Sequence, residues 1–137
     1  MAFTTYTVGT APGPGVDFTS IQAAINAASN GDVIQILDGT YVLPSTLNLE
    51  KDITLQGQSE AGVILDASAI DGYGIYLTGN GATLSTFTLL GPAGGAPGGN
   101  YGIKAQPAVG ETEVNNLTLE HLTVTGSLRS EIDLNGV

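Results

Sequence analysis

Cysteine and tryptophan are absent from this 137-residue chain, and Lys and Arg together number three, against 13 Asp and Glu. Without cysteine the chain has neither disulfide bonds nor thiol chemistry. The formal net charge of −10 excludes the basic patch that a nucleic-acid backbone requires, and it disfavours an anionic membrane surface. We therefore predict no nucleic-acid partner. A neutral glycan, or an acidic glycan bridged by calcium, is compatible with this charge.

Long apolar runs are lacking as well. No stretch of about 18 apolar residues occurs, so we predict no insertion into a membrane. The first ten residues have neither the basic segment nor the apolar segment of a secretory signal peptide. The chain does contain 42% hydrophobic residues and 20 glycines, a composition typical of an ordered domain with short strands and many turns. We expect residues 1–137 to form a single domain.

One segment near the N-terminus has helical periodicity. Its apolar residues at positions 21, 24, 25 and 28 recur at the spacing of one helix face. Thr19 and Gln22 have the spacing of a capping box, and Asn30 with Gly31 supplies a stop signal. The pattern predicts a helix over about 19–29, whose narrow, alanine-rich face packs closely against a flat surface.

After Gly31 the apolar residues alternate with a period of two, which indicates strands. Turns rich in Gly, Asn, Asp and Pro separate the strands. An additional edge strand is expected at residues 3–8. The predicted strands after Gly31 cover residues 33–37, 46–49, 53–56, 63–66, 74–78, 83–85, 87–90, 102–105, 117–119, 122–125 and 131–134.

Two series of segments repeat along the chain. Residues 47–57, 82–91 and 117–126 share two apolar-x-apolar units, a polar break between them and a closing glycine, with the glycines 34 and 35 residues apart. Segments around Ile75, Ile103 and Ile132 form the second series, 28 and 29 residues apart. Interleaved series at near-constant spacing predict a solenoid in which every coil contributes the same strands. Variation in coil length is expected in turns such as residues 91–102.

Residues 31–41, Gly-Asp-Val-Ile-Gln-Ile-Leu-Asp-Gly-Thr-Tyr, resemble the first-coil motif of the pectate lyase-like superfamily. In that family a short helix precedes a strand that ends in Gly-Thr-Tyr, and residues 17–25 resemble the helix. The resemblance covers roughly residues 17–136. It implies an all-β fold, a right-handed parallel β-helix solenoid with one N-terminal amphipathic capping helix, in an extracellular or surface-associated protein. Because the superfamily includes lyases, hydrolases, epimerases, phage tailspikes and adhesins, the fold alone implies no reaction.

The two ends of this solenoid are expected to differ. Residues 1–31 would form a cap that covers the apolar interior and the strand edges of the first coil. Residues 32–137 would form about three to four coils. We recognise no similar cap beyond residues 131–134, so we expect the chain to be part of a longer protein and to self-associate through its C-terminal coil.

Tyr76, Lys104 and Asp133 occupy equivalent positions in the second repeat series. Because stacked strands lie about 4.8 Å apart, we expect them to form one row on an outer face of the coils. A tyrosine ring can stack on a sugar while charged groups bind its hydroxyls, so this row is a candidate carbohydrate-binding site. An ordinary solvated face is the alternative interpretation.

Aspartates provide the candidate metal ligands. Asp38, Asp66 and Asp71 are weak candidates for calcium, which prefers several hard oxygen ligands, although Asp beside Gly or Ser is also common in Asx turns. No other cofactor is indicated. His121, the only histidine, lies in a polar break and is expected at a solvent-facing corner.

We assign no catalytic residue. Enzymes of the superfamily use a cationic base beside acidic calcium ligands, or clustered carboxylates, and neither motif maps onto this chain. Glu111 with Glu113, and Glu50 with Asp52, alternate in polar turns, as residues that only face solvent also do.

Three functional hypotheses follow. The first is an extracellular β-helix module that contacts a polysaccharide within a larger carbohydrate-active or adhesive protein and is not catalytic by itself. The second is a purely structural, stackable element of an adhesin, phage spike or filament. The third is a polysaccharide lyase or epimerase.

Overall fold

The computed structural model describes residues 3–93 and 100–137. Within them it contains one α-helix, α1 (Ile21–Ala27), and eleven strands, so the prediction of an all-β chain with one helix is confirmed. The strands are β1 (Thr5–Val8), β2 (Val33–Ile36), β3 (Gly39–Val42), β4 (Leu47–Leu49), β5 (Thr54–Gly57), β6 (Val63–Asp66), β7 (Tyr73–Leu77), β8 (Thr83–Leu90), β9 (Tyr101–Ala105), β10 (Thr118–Thr125) and β11 (Ser130–Leu134).

The described strands pair in parallel and form three ladders. The first ladder contains β1, β2, β5 and the first halves of β8 and β10. The second contains β3, β6 and the second halves of β8 and β10. The third contains β4, β7, β9 and β11. From β2 onward the chain therefore passes the three ladders in a constant order, and each circuit adds one strand to each ladder.

The two long strands bend between the first and second ladders. The bend in β8 is at Thr86, with φ 64°, and the bend in β10 is at His121, with φ 50°. Both residues adopt the left-handed conformation, which is uncommon for residues other than glycine. His121 is exposed, so the expectation that it occupies a solvent-facing corner is confirmed.

The core consists of rows of apolar side chains, one from each circuit. In the first ladder, Ile34, Leu55 and Leu84 lie in register and are fully buried. Burial of such a side chain contributes about 1.5–3 kcal/mol. In the third ladder, Ile75 and Ile103 are fully buried, whereas Ile132 on the last strand is 41% exposed. The rows are therefore fully buried as far as β8 and β9 and lose cover only at β10 and β11.

Helix α1 begins one residue later than the capping-box prediction requires. Ser20 is the N-cap, and its hydroxyl accepts a hydrogen bond from the Ala23 N–H at 3.2 Å, so the prediction of Thr19 was wrong. Gln22 bonds elsewhere, because its side-chain oxygen accepts the Asn48 N–H of β4 at 2.9 Å. The helix thus uses Gln22 to attach to a strand edge. Its buried residues pack against β1, β2 and β4.

Lys51 holds the C-terminal end of α1. Its ammonium donates hydrogen bonds to the carbonyl oxygens of Ile25, Asn26 and Ala28, at 3.0, 3.1 and 2.7 Å. A cation at this position satisfies unpaired carbonyls and complements the helix dipole. One of the chain's three cations is therefore committed to the fold.

Two predictions about strands were wrong. The strand predicted to end in Gly-Thr-Tyr is divided, because β2 ends at Ile36 and Gly39 begins β3 in another ladder. Residues 47–57 do not superimpose on residues 82–91, because β4 pairs with β7 while Thr54 pairs with Thr83. An apolar-x-apolar pattern does not distinguish a corner between two ladders from a bend within one strand. The turn predicted at residues 91–102 falls largely on residues 94–99, which lie outside the described residues.

Asp32 links the segment before β1 to the end of α1 and predicts a measurable pH dependence. Its two carboxylate oxygens accept the N–H groups of Thr4 and Ser29, both at 2.8 Å. The Ser29 bond, followed by the Thr4 bond, holds the pKa of Asp32 below its ordinary value of 3.8. The carboxylate therefore stabilises the fold above that pH, and this contribution is lost as the pH falls through the folded-state pKa.

We expect Asp32→Asn to lower the free energy of unfolding at pH 7 and to reduce its dependence on pH below about 4. Urea denaturation between pH 7 and pH 3 measures both effects. The exposed Asp71→Asn is the control and should retain the wild-type acid dependence. Equal pH dependence in Asp32→Asn and wild type would refute this role.

Candidate functional site

The outer side of the third ladder contains a row of polar residues. Asn48, Tyr76, Lys104 and Asp133 lie in register on β4, β7, β9 and β11. The predicted alignment of Tyr76, Lys104 and Asp133 is thus confirmed, and Asn48 extends the row by one strand. The four positions belong to successive circuits and are separated by the strand spacing of about 4.8 Å.

Lys104 is buried, which the sequence did not indicate. The residue is only 4% exposed, and its Nζ lies 2.5 Å from Oδ2 of Asp133 and 5.1 Å from the centre of the Tyr101 ring. Tyr76 and Asp133 flank it along the row, so neighbouring side chains cover the lysine stem. The alternative interpretation of the row, an ordinary solvated face, therefore does not apply to Lys104.

Three tyrosines pack into one aromatic cluster, in which Tyr101 contacts Lys104 and Tyr76 lies beside Lys104 in the strand register. The ring centres of Tyr73 and Tyr76 are 5.0 Å apart, and those of Tyr73 and Tyr101 are 5.8 Å apart. All three side chains are partly exposed. We call Tyr73, Tyr76 and Tyr101 the tyrosine platform.

Two cationic side chains, Lys104 and Arg129, lie at the tyrosine platform. The guanidinium carbon of Arg129, an exposed residue, lies 5.6 Å from the centre of the Tyr101 ring. Lys104 contacts the same ring, and Lys51 is engaged at the end of α1. Two of the three cations of a strongly acidic chain therefore lie at one tyrosine. The attraction between a cation and the face of an aromatic ring contributes about 0.5–1 kcal/mol at exposed sites.

Sequence reasoning missed Tyr73, Tyr101 and Arg129. One available signal was the repeated Tyr-Gly-Ile at residues 73–75 and 101–103, with the same 28-residue spacing as the second repeat series. The intervening glycines have a structural reason, since a Cβ on Gly74 would lie 2.7 Å from the carbonyl oxygen of Gly102. Arg129 directly precedes Ser130, which pairs with Tyr101.

The candidate calcium ligands are engaged in other contacts or dispersed. Asp66 accepts the backbone N–H and the hydroxyl of Ser68, at 2.9 and 2.5 Å, and these bonds lower its pKa. This is an Asx turn. Asp38 accepts the Ser59 hydroxyl at 2.6 Å and lies four strand positions from Asp66, about 13 Å, in the β3–β6 register. Asp71 is exposed in the turn before β7.

Residues 3–93 and 100–137 contain no group of three or more His, Cys, Asp or Glu side chains placed to hold a metal ion. In the same part of the chain, the single helix α1 is not long and apolar enough to cross a membrane.

Comparison with known proteins finds similarity at the level of the fold. No family model and no curated protein matches this sequence. Among solved structures, the chain is similar to a mutant of the PL6 family alginate lyase AlyGC, with a TM-score of 0.63 and 23% identity. The match covers 88% of this chain and 16% of that chain. The likeness shows a shared fold, and the present chain spans about one sixth of the matched protein's length.

Proposed function

We propose that this chain is part of a right-handed parallel β-helix of the pectate lyase-like superfamily, and that the outer face of its third ladder binds a polysaccharide. The constant order of the three ladders supports a β-helix. The fold likeness to a PL6 alginate lyase supports the superfamily. The contacts of α1 with β1, β2 and β4 support its role as the N-terminal cap.

The tyrosine platform carries the functional proposal. Tyr73 lies edge-to-face with Tyr76, with ring centres 5.0 Å apart and planes at 82°, and its ring is tilted by 43° against that of Tyr101 at 5.8 Å. The rings therefore form one aromatic cluster whose faces point in different directions, and a sugar ring can stack on an exposed face. Polar groups border that cluster and can bind hydroxyls, as binding sites for small polar ligands require. Asn48 and Asp133 supply acceptors at the two ends of the row, and Arg129 supplies donors beside Tyr101.

Alginate is the first ligand to test, because the similar solved structure is an alginate lyase. The exposed guanidinium of Arg129 can pair with a uronate carboxylate while the sugar ring lies on the tyrosine platform. We assign the platform a binding role and no catalytic step, within a larger extracellular carbohydrate-active or adhesive protein.

Replacement of Tyr101 tests the platform. We expect Tyr101→Ala to weaken binding of alginate oligosaccharides about tenfold, because an aromatic contact contributes about 0.5–1.5 kcal/mol beyond its buried area. Isothermal titration calorimetry measures the effect. Gln56→Ala, an exposed position on the outer side of the first ladder, is the control and should bind as wild type does.

The proposal is wrong if the wild-type chain binds neither acidic nor neutral oligosaccharides. It is also wrong if Tyr101→Ala, folded by circular dichroism, binds as tightly as wild type.

A second function, that of a self-associating structural element, is favoured by the state of β10 and β11. Within the described part of the chain, β10 and β11 each pair with another strand on one side only. Ile132 and Leu134 belong to an interior row but are 41% and 46% exposed. An unpaired edge with exposed apolar residues is a template for another strand. We propose that the same edge of a second copy of this chain covers it, because Ile132 and Leu134 of both copies would then be buried against each other.

Sedimentation velocity tests this association. We expect the sedimentation coefficient to rise with concentration in wild type, and Ile132→Asp to abolish the rise because it places a charge in the apolar contact. Val109→Asp, at a fully exposed residue away from the strands, is the control. A wild-type chain that remains monomeric at high concentration would contradict the proposal.

A further inference from the structure

We propose that Asp133 is an internal competitor for acidic ligands and thereby sets the specificity of the tyrosine platform. Its carboxylate binds the ammonium of Lys104 at the position that a uronate carboxylate would take. This inference rests on the proposed function, since it concerns the same surface.

Lys104 requires a counter-ion. The residue is 4% exposed, and Asp133 is its one ion-pair partner within the described chain. A buried ammonium without a counter-ion is strongly disfavoured. The ammonium of Lys104 is paired with Asp133, and a carboxylate of a ligand could satisfy the same demand if the Asp133 side chain turned away.

The two residues of the ion pair are not held equally firmly. Lys104 lies on β9, which is paired on both sides, by β7 and β11. Asp133 lies on β11, which is paired on one side among the described strands, and its side chain is 28% exposed. Rotation of the Asp133 side chain toward solvent would release Lys104 without any change in the ladder. Asp133 is thus the partner that a ligand displaces.

The intact ion pair leaves little positive charge for a ligand. With Asp133 in place, the Lys104–Asp133 pair has no net charge, and Arg129 is the remaining cation at the Tyr101 ring. An acidic sugar then binds through Arg129 alone and is repelled by Asp133. A neutral sugar that stacks on the tyrosines is affected little by either charge. The wild-type platform therefore discriminates weakly between acidic and neutral glycans.

Removing each charge of the pair should change acidic-glycan affinity in opposite directions. We expect Asp133→Asn to bind alginate oligosaccharides about tenfold more tightly than wild type, because Lys104 becomes available. We expect Lys104→Met to bind them several-fold more weakly, because the charge of Asp133 is then uncompensated. Neutral cello-oligosaccharides of the same length should bind all three proteins within about twofold of one another.

A double variant isolates the role of Lys104. Lys104→Met with Asp133→Asn should bind alginate about as wild type does, since both the competitor and its target are absent. A gain that persists in the double variant would overturn the proposal, because relief of repulsion alone would then explain it. An unchanged affinity in both single variants would also overturn it.

Protein stability provides a second readout, which keeps the test valid if Asp133→Asn folds poorly. Loss of the counter-ion should lower the melting temperature of Asp133→Asn, and alginate should raise it by more than it raises that of wild type. Lys104→Met replaces a buried ammonium with an apolar side chain of similar length, so we expect this variant to fold and its glycan affinity to be measurable.

The outcomes also separate this inference from the proposed function. If no variant binds any glycan, the proposed function fails. If wild type binds through Tyr101 but neither single charge variant changes the affinity for alginate, only the role of Asp133 fails.

Discussion

Parallel hydrogen bonds between successive circuits determine which residues of this chain become neighbours. A strand paired in register places each of its side chains beside the equivalent side chain of the next circuit, about 4.8 Å away. Interior positions then form continuous apolar rows such as Ile34, Leu55 and Leu84. The same register brings together Tyr76, Lys104 and Asp133, which are 28 and 29 residues apart in sequence. Core and candidate site thus depend on one constraint.

Close approach between circuits explains particular glycines. A Cβ on Gly57, at the end of β5, would overlap the carbonyl oxygen of Thr86, where β8 bends in the next circuit. A Cβ on Gly102 would meet the backbone of Glu131. These glycines allow neighbouring strands to remain paired where the chain changes direction. Gly102 lies on β9, two residues before Lys104.

Much of the fold was predictable because it depends on local patterns. The helix, the short strands and the second repeat series follow from spacings of 3.6 and 2 residues and from recurrent glycines. The assignment of residues 47–57 to the first repeat series was wrong, because a pattern of apolar and polar residues does not identify the ladder to which a strand belongs. The prediction of the N-cap was wrong by one residue, because Ser20 caps the helix, and the side-chain oxygen of Gln22 accepts the N–H of Asn48 on β4 instead of closing a capping box with Thr19.

The candidate site was predictable only in its alignment. The register of Tyr76, Lys104 and Asp133 followed from the repeat, but the burial of Lys104 depends on the ring of Tyr101 and on the ion pair with Asp133. Such contacts arise from side-chain directions in three dimensions, which spacing does not encode. Arg129 was likewise missed because it lies outside the repeat register and reaches the site from a preceding turn.

Tyrosine ring resonances test the central claim, that the platform is the surface at which a glycan binds. The five tyrosines provide their own controls, because Tyr6 packs on Phe18 and Tyr41 is buried with its hydroxyl bonded to the Leu37 carbonyl. In an NMR titration with alginate oligosaccharides, we expect the chemical shifts of the tyrosine rings to change only at Tyr73, Tyr76 and Tyr101. Unchanged rings at these three residues, or shifts at Tyr6 and Tyr41 instead, would contradict it.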